Sequence, residues 1–392
     1  MTDLILKGGR VFDPGKGLDI TADVAFAEGK VTSIQPSIVS ERNASTIDVK
    51  GKIVVPGLID LHAHVYWGGT SMGVEAEPVT RRSGTTTFVD AGSAGPGNFP
   101  GFRRHVIEPS PVRILAYLNV SYAGIFAFSS SVMVGECTDF RLLDLGECVR
   151  VAKENSDIVV GIKVRVGRGA GGSSGVAPLD MAIEAAEELG LPVMAHLDYP
   201  PPSRREVLSR LRPGDVLTHC FRPFPNAPTG PRHVGVREEV MAARRRGVIF
   251  DIGHGAGSFS FGTTRGMLEA NFMPDVISSD IHVLSIDGPA HDVLDVASKF
   301  YCVGAALPDI VKALTSAPAA ALRRPDLGTL VAGGVGDAAV LEIVEGDFQY
   351  ADVTGETIDG RHRLVLRGVV VAGRWWEAAG AATHAAQEAR RA

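Results

Sequence analysis

Two histidines separated by one residue, His62 and His64, follow the apolar run Leu58-Ile59-Asp60-Leu61. Alternate side chains of a strand point to the same face, so both imidazoles project together from its end. Such a pair is either a ready set of nitrogen ligands for a divalent metal or two core histidines that end a strand. The residues downstream favour the metal. Lys163 lies inside the apolar run Val159–Val164, where an ammonium is costly unless it is paired or chemically altered. His196, His219 and Asp280 follow the apolar runs Val193–Ala195, Val216–Leu217 and Val276–Ile277. Four histidines, an aspartate and a buried lysine exceed the needs of one tetrahedral ion. They suit two divalent ions, most naturally Zn²⁺, provided that Lys163 adds CO₂ and offers one carbamate oxygen to each. Two such ions hold a bridging hydroxide at neutral pH. Asp280 would take the proton of that hydroxide and pass it to a leaving group as general acid and base.

These side chains need a scaffold that gathers distant strand ends. Eight apolar runs alternate with helical patterns: Leu58–Leu61, Thr86–Val89, Ile114–Leu118, Val159–Val164, Val193–Ala195, Val216–Leu217, Val248–Phe250 and Val276–Ile277. The clearest helical periods cover Leu179–Leu189, Val234–Arg246 and Val293–Phe300. The alternation predicts an α/β fold, a (β/α)8 TIM barrel over residues 57–329, with its chemistry at the C-terminal ends of the strands. A doubly wound open sheet is the competing architecture. No Gly-x-Gly-x-x-Gly opens a helix after the first strand, which counts against it. Residues 1–56 and 330–376 carry short β-runs broken by glycine turns. Neither end holds a core alone, so the two are expected to form one small β-sandwich domain. Residues 377–392 read as a C-terminal tail.

Composition narrows the function classes. The chain has 392 residues, 45% of them hydrophobic and 21% charged, with a net charge of −6. That is an ordinary globular mixture, without the basic footprint that nucleic acid requires. The densest basic run, Arg244-Arg245-Arg246, reads as a solvated helix end. No apolar stretch is long enough to span a membrane, and the N-terminus lacks the apolar run of a signal peptide. Cys137, Cys148, Cys220 and Cys302 are scattered without a Cys-x-x-Cys pair, which argues against a disulfide framework and a cysteine metal site. The expectation is a cytoplasmic enzyme acting on a small-molecule substrate, with no nucleic acid and no membrane partner. A homo-oligomer is compatible with this composition.

The segment Pro56 to His64, together with Lys163, His196, His219 and Asp280, resembles the amidohydrolase superfamily of metal-dependent hydrolases. Ser316-Ala317-Pro318-Ala319 and the stretch Gly328 to Ala339 agree with it. The resemblance covers essentially the whole chain. It implies a metal-bearing barrel beside a sandwich, with His62, His64 and Asp280 on the more buried metal and His196 and His219 on the other. Carboxylated Lys163 bridges them. Within the superfamily, His62 to Gly69 and Ser278 to His282 are similar to a deacetylase-like branch. Its members are loosely named dihydroorotases or deacetylases, and some resemble hydrolases of N-acyl amino acids or acylated hydroxy acids. True dihydroorotases place an arginine two residues after the second histidine, where this chain has Tyr66. Mononuclear deaminases lack the bridging lysine. The resemblance therefore implies a deacetylase acting on an amide or ester bond in a small carboxylated molecule. A cyclic amidase opening a hydantoin-, imide- or lactam-like ring is the alternative. A non-catalytic scaffold is disfavoured by the complete ligand set.

On the substrate side, Arg165 shares the strand face of Lys163. It would bind a substrate carboxylate or pair with a carboxylate of the barrel. His254, in the loop after the seventh strand, is a candidate to polarise the substrate carbonyl, with a plain loop histidine as the rival reading. Tyr66, Tyr122 and Asn119 are further candidates for substrate contact. Gly167 to Gly175 lacks the Gly-Lys-Ser/Thr ending of a phosphate loop and reads as a mobile flap. Phe221 to Pro228 reads as a stiff lid wall. His282 would contact Asp280 or serve a turn. His105, His233, His291, His362 and His384 read as surface or structural.

Overall fold

β-Branched and apolar residues at alternate positions build five strands at the N-terminal end: β1 (Leu4–Asp13), β2 (Leu18–Ala27), β3 (Lys30–Gln35), β4 (Ser45–Asp48) and β5 (Ile53–Pro56). The computed structural model describes residues 2–40 and 43–379. The expected C-terminal tail lies outside the described residues from position 380 on, and so does His384.

Gly57 separates β5 from β6 (Leu58–Ala63), and the chain changes partners there. β6, β7 (Thr85–Ala91), β8 (Arg113–Asn119), β9 (Val159–Val166), β10 (Val193–Leu197), β11 (Val216–Leu217) and β12 (Ile249–Phe250) form one parallel sheet. Their order in the sheet is their order in the chain. A doubly wound sheet reverses its order at a switch point, so that alternative is excluded. The eighth run is not a regular strand. Segment 276–281 instead touches both edges of the sheet through single bridges, Asp251 with Val276 and Ala63 with Ile281. Asp280 N donates to His62 O at 2.7 Å and His64 N to Ile281 O at 2.9 Å. Asp280 has φ 48°, which breaks the extended path that a continuous strand needs. The parallel sheet is therefore curled, with its two edges brought together by this segment.

Helices pack on the outside of the sheet because their apolar residues recur every three or four positions. In Ala177–Leu189 the buried face is Leu179, Ala182, Ala185 and Ala186, and Gly190 closes the helix at φ 66°. Val293–Cys302 matches the expected period, while the expected helix from Val234 begins only at Glu238. Gly235 at φ 67° and an extended Arg237 delay it. Alternation along β9 sends Ile162, Val164 and Val166 into the main core. Gly161, Lys163 and Arg165 are left on the opposite face.

The chain returns to the first sheet through β13 (Ala338–Ala351), β14 (Thr357–Val371) and β15 (Arg374–Glu377). β13 runs antiparallel to β5, with Ala338 opposite Pro56, and the order is β15-β14-β13-β5-β1-β2-β3 with β4 on β1. One face, including Leu6, Val24, Phe26, Val54, Val340 and Val370, encloses a separate core. Leu341, Leu364, Leu366 and Val369 on the other face join the main core. Among the described residues no helix is long and apolar enough to cross a membrane.

Candidate metal centre

The ends of β6, β9, β10 and β11, with the 276–281 segment, converge on one buried cluster. His62 Nε2 lies 3.3 Å from Asp280 Oδ1, and His64 Nε2 lies 3.2 Å from the same oxygen. Ligand atoms of these three residues all lie within 4.8 Å of one another. Lys163 Nζ is 3.4 Å from His62 Nε2. The His219 ring stands 5.0 Å from that of His62 and 4.4 Å from that of His196, centre to centre. The structure thus brings all six expected side chains together. Two of them sit on strained backbone, His219 at φ 61° and Asp280 at φ 48°. Non-glycine residues hold such angles only where surrounding contacts over-determine them.

A second layer fixes which nitrogen of each ring faces inward. Thr218 Oγ1 donates to Asp251 Oδ2 at 2.7 Å and so accepts from His62 Nδ1 at 2.7 Å. Gly253 O can only accept, so His219 Nδ1 carries the proton of their 2.6 Å bond. Both rings are left with an unprotonated Nε2. His64 Nδ1 shares a 2.8 Å hydrogen bond with Ser93 Oγ. This is the arrangement of metal-binding imidazoles, whose outer nitrogen is held by a fixed partner.

Electrostatics point the same way. Burial lowers His64 and His196 to about 3, and His62 and His219 also fall well below the ordinary imidazole value. All four are neutral ligands at pH 7. Burial likewise pushes Lys163 down to about 7, and raises Asp280 and Asp251 to about 6 and Asp60 to about 7. Neutral imidazole nitrogens beside carboxylates are the donors that divalent ions take. The donor set fits divalent metal.

Room for these groups comes from missing side chains. Gly92 has φ 83°, and a Cβ there would meet Lys163 Cγ at 2.5 Å. At Gly253, φ 46°, a Cβ would meet Thr218 Oγ1 at 2.4 Å and His62 Nδ1 and His219 Nδ1 at 2.9 Å.

Known proteins share this chain's sequence and shape. No family model matches it. A deacetylase of Agrobacterium fabrum is 34% identical over 348 residues, which is 88% of this chain and 84% of the relative. A deacetylase of Enterococcus faecalis is 27% identical over 96% of this chain and 99% of its own length. The chain belongs to the amidohydrolase superfamily, in its deacetylase-like branch. A dihydroorotase crystal structure superposes on this amidohydrolase with a TM-score of 0.87 at 31% identity, covering 95% of this chain and 98% of the other. An adenine deaminase structure gives 0.89 at 27% identity, covering 96% and 100%. The chain is therefore a metal-dependent amidohydrolase enzyme.

Several expected substrate contacts are corrected by the structure of this amidohydrolase. His254 is fully buried, donates from Nδ1 to Gly255 O at 2.9 Å and accepts from Lys299 Nζ at 2.9 Å. Its ring stacks on Phe259 at 4.5 Å. Both nitrogens are engaged, so the ring is not presented to a substrate carbonyl. Tyr66 stacks on Phe102 at 4.5 Å and donates its hydroxyl to Asn98 O, a packing role rather than a substrate contact. Arg165 takes the second of its two readings. Its Nε lies 3.0 Å from Glu136 Oε1, and its guanidinium covers the Phe128 ring. That pair is not aligned as a hydrogen bond, so charge holds it. Tyr122 is exposed at the rim. Asn119 donates to Gly92 O and accepts from Ser121 N, so it braces the turn beside Lys163. His282 Nδ1 accepts from Leu284 N in a turn, while its ring stands 6.1 Å from that of His64 and Asp280 feels its charge, so it meets both expected readings. The glycine-rich stretch is no free flap, because Asp198 accepts from Gly169 N and Ala170 N, both at 3.1 Å.

Sequence reasoning missed Ser93, Thr218, Asp251, Asp60 and Glu136. Asp251 follows the seventh strand, the same position that singled out His196, and that signal was available for it. Asp60 lies inside an apolar run and accepts from Ser279 N at 2.9 Å, a pairing that spans 219 residues. Its place inside that run marks it as it marked Lys163, but its partner does not show in the spacing.

Proposed function

We propose that this amidohydrolase is a deacetylase: a dinuclear metal hydrolase, most naturally of Zn²⁺, that removes an acyl group from a small carboxylated molecule. N-Acyl amino acids and acylated hydroxy acids are the proposed substrates. The observation that carries this reading is the convergence of His62, His64, Lys163, His196, His219 and Asp280 on one buried point. The deacetylases that match across most of the chain support the acyl class. In this reading His62, His64 and Asp280 hold one ion and His196 and His219 the other. Lys163, as a carbamate formed with CO₂, reaches both. The proposed frame is a (β/α)8 barrel over residues 57–329, closed by the irregular segment 276–281 in the place of its eighth strand. Residues 1–56 and 330–376 then fold as a small sandwich.

When bound, the ions supply Lewis-acid activation of water and of the scissile carbonyl. The protein's own residues do the rest. Asp280 stands within 3.3 Å of both His62 and His64. There it removes a proton from the attacking water and returns it to the departing amine or alcohol. Thr218 and Gly253 hold the imidazoles in one orientation, and Asp251 holds Thr218.

A second reading, a cyclic amidase, is favoured by the dihydroorotase structure at 31% identity. A panel of N-acetyl amino acids, O-acetyl hydroxy acids, hydantoins and dihydropyrimidines separates the two. Turnover of the open-chain acyl compounds is expected. Turnover of rings alone would replace the deacetylase reading with the cyclic amidase.

A further inference from the structure

Two arginines lie beside the histidine cluster, and they differ in how their charge is met. Arg165 has Glu136 at 3.0 Å. Arg222 has no such partner. The residue is only 8% exposed, and its Nη1 is buried without a hydrogen-bond partner. Among the described residues no carboxylate lies within ion-pair distance of it. Its backbone N donates to His219 O at 3.2 Å, so the residue is fastened one turn beyond a proposed metal ligand. Asp198 and Tyr199, just beyond His196 at the end of β10, are the groups its charge meets, so the guanidinium lies on the β10–β11 side of the cluster.

Asp198 is the nearest candidate counter-charge, but its oxygens are committed. They accept from Gly169 N and Ala170 N, and Oδ2 stands 3.8 Å from His196 Nε2. A buried guanidinium cannot shed its proton, and an unbalanced buried charge is strongly unfavourable. An anion bound from outside would balance it. A planar fork of N–H donors matches a carboxylate in two-point geometry.

We propose that Arg222 anchors the substrate's carboxylate, so that the acyl bond is presented to the cluster from the β10–β11 side. The inference rests on the deacetylase reading and narrows it. The substrate carries its carboxylate close to the scissile bond, as α-acylamino and α-acyloxy acids do. Arg222 then sets specificity by charge, while Arg165 holds Glu136.

The test compares metal-loaded wild type with R222M and R222K. N-Acetyl amino acids are assayed against their carboxamides, which are neutral at the anchoring end. Wild type should prefer the acid by about 100-fold in kcat/KM. R222M should lower that preference at least tenfold, with the loss mainly in KM, and R222K should retain part of it because it keeps the charge but not the fork. Metal content and melting temperature report that each variant is folded. Calorimetric titration with propionate and propionamide supplies a readout independent of turnover. Propionate binding should weaken at least tenfold in R222M. Equal losses on acid and amide, or unchanged propionate binding, would overturn the assignment. If wild type hydrolyses neither these compounds nor the O-acetyl hydroxy acids the deacetylase reading fails, and the propionate titration still decides the role of Arg222.

Discussion

Lys163 is the residue on which the centre turns. Its Nζ lies among neutral imidazoles, 3.4 Å from His62, and among the described residues no carboxylate is in hydrogen-bond contact with it. A permanently charged ammonium there would repel the metals that the histidines attract. Lys163→Ala should therefore lower metal content below two equivalents and reduce kcat by at least about 10³-fold. Short carboxylic acids should restore part of the activity by occupying the vacated bridge. Metal analysis with rescue kinetics checks both points. Full activity in the alanine variant would remove Lys163 from the mechanism. One layer out, Thr218→Val keeps the shape but takes away the acceptor of His62 Nδ1. Loss of such an outer partner typically weakens metal affinity by about 10–100-fold, and competition with a chelator measures it. Arg165→Met acts differently. It strands Glu136, which is fully buried, and removal of one partner of a buried pair costs about 3–5 kcal/mol. Chemical denaturation should register that loss. A change in acid-over-amide preference without loss of stability would return Arg165 to the substrate side.

At the scale of elements, Gly253 shows how loops enforce the geometry that the strands only begin. It turns the chain after β12 at φ 46°, and its carbonyl holds His219. Gly253→Ala would force a Cβ to within 2.4 Å of Thr218 Oγ1. The expected result is a folded protein with at least about tenfold weaker metal binding, seen by metal analysis beside an unchanged circular dichroism spectrum. The contrast with the sequence is instructive here. His62, His64, Lys163, His196 and His219 were legible because a polar side chain that ends or interrupts an apolar run announces itself. The first seven parallel strands were legible because short apolar runs alternate with helical periods. The eighth run was misread as a regular strand, since nothing local shows that Asp280 takes a left-handed backbone. His254 was misjudged because its partner, Lys299, lies 45 residues away. Arg165 was left between two readings because Glu136 sits in a loop with no apolar period to place it. Long-range pairings of this kind are written in three dimensions and not in spacing.

At the scale of the whole molecule, the two chain ends are not an appendage that can be removed. β13 lies between β5 and β14 in the end sheet, and β5 continues across Gly57 into β6, the strand that carries His62 and leads into His64. Arg113, at the start of β8, donates to Asp337 just before β13 at 2.8 Å. Gly57 N donates to Asp337 O at 3.0 Å, so one aspartate clamps both sheets where they meet. Leu341, Leu364, Leu366 and Val369 also bury themselves in the core that the helices share. Stripping β13 from β5 would expose an unpaired strand edge and uncover Val54, Val55 and Val340, each fully buried. Burial of one such side chain is worth about 1.5–3 kcal/mol, so the loss of a few is comparable with the margin of about 5–15 kcal/mol that holds an ordinary domain. Deleting residues 338–379 should therefore abolish the metal centre along with the end sheet. The metal-loaded full chain should melt in one cooperative transition, with metal release and loss of β-signal coinciding. A truncated chain that still bound two metals, or a first transition that removed the end sheet and left the metals in place, would show that the parallel sheet and its helices stand alone.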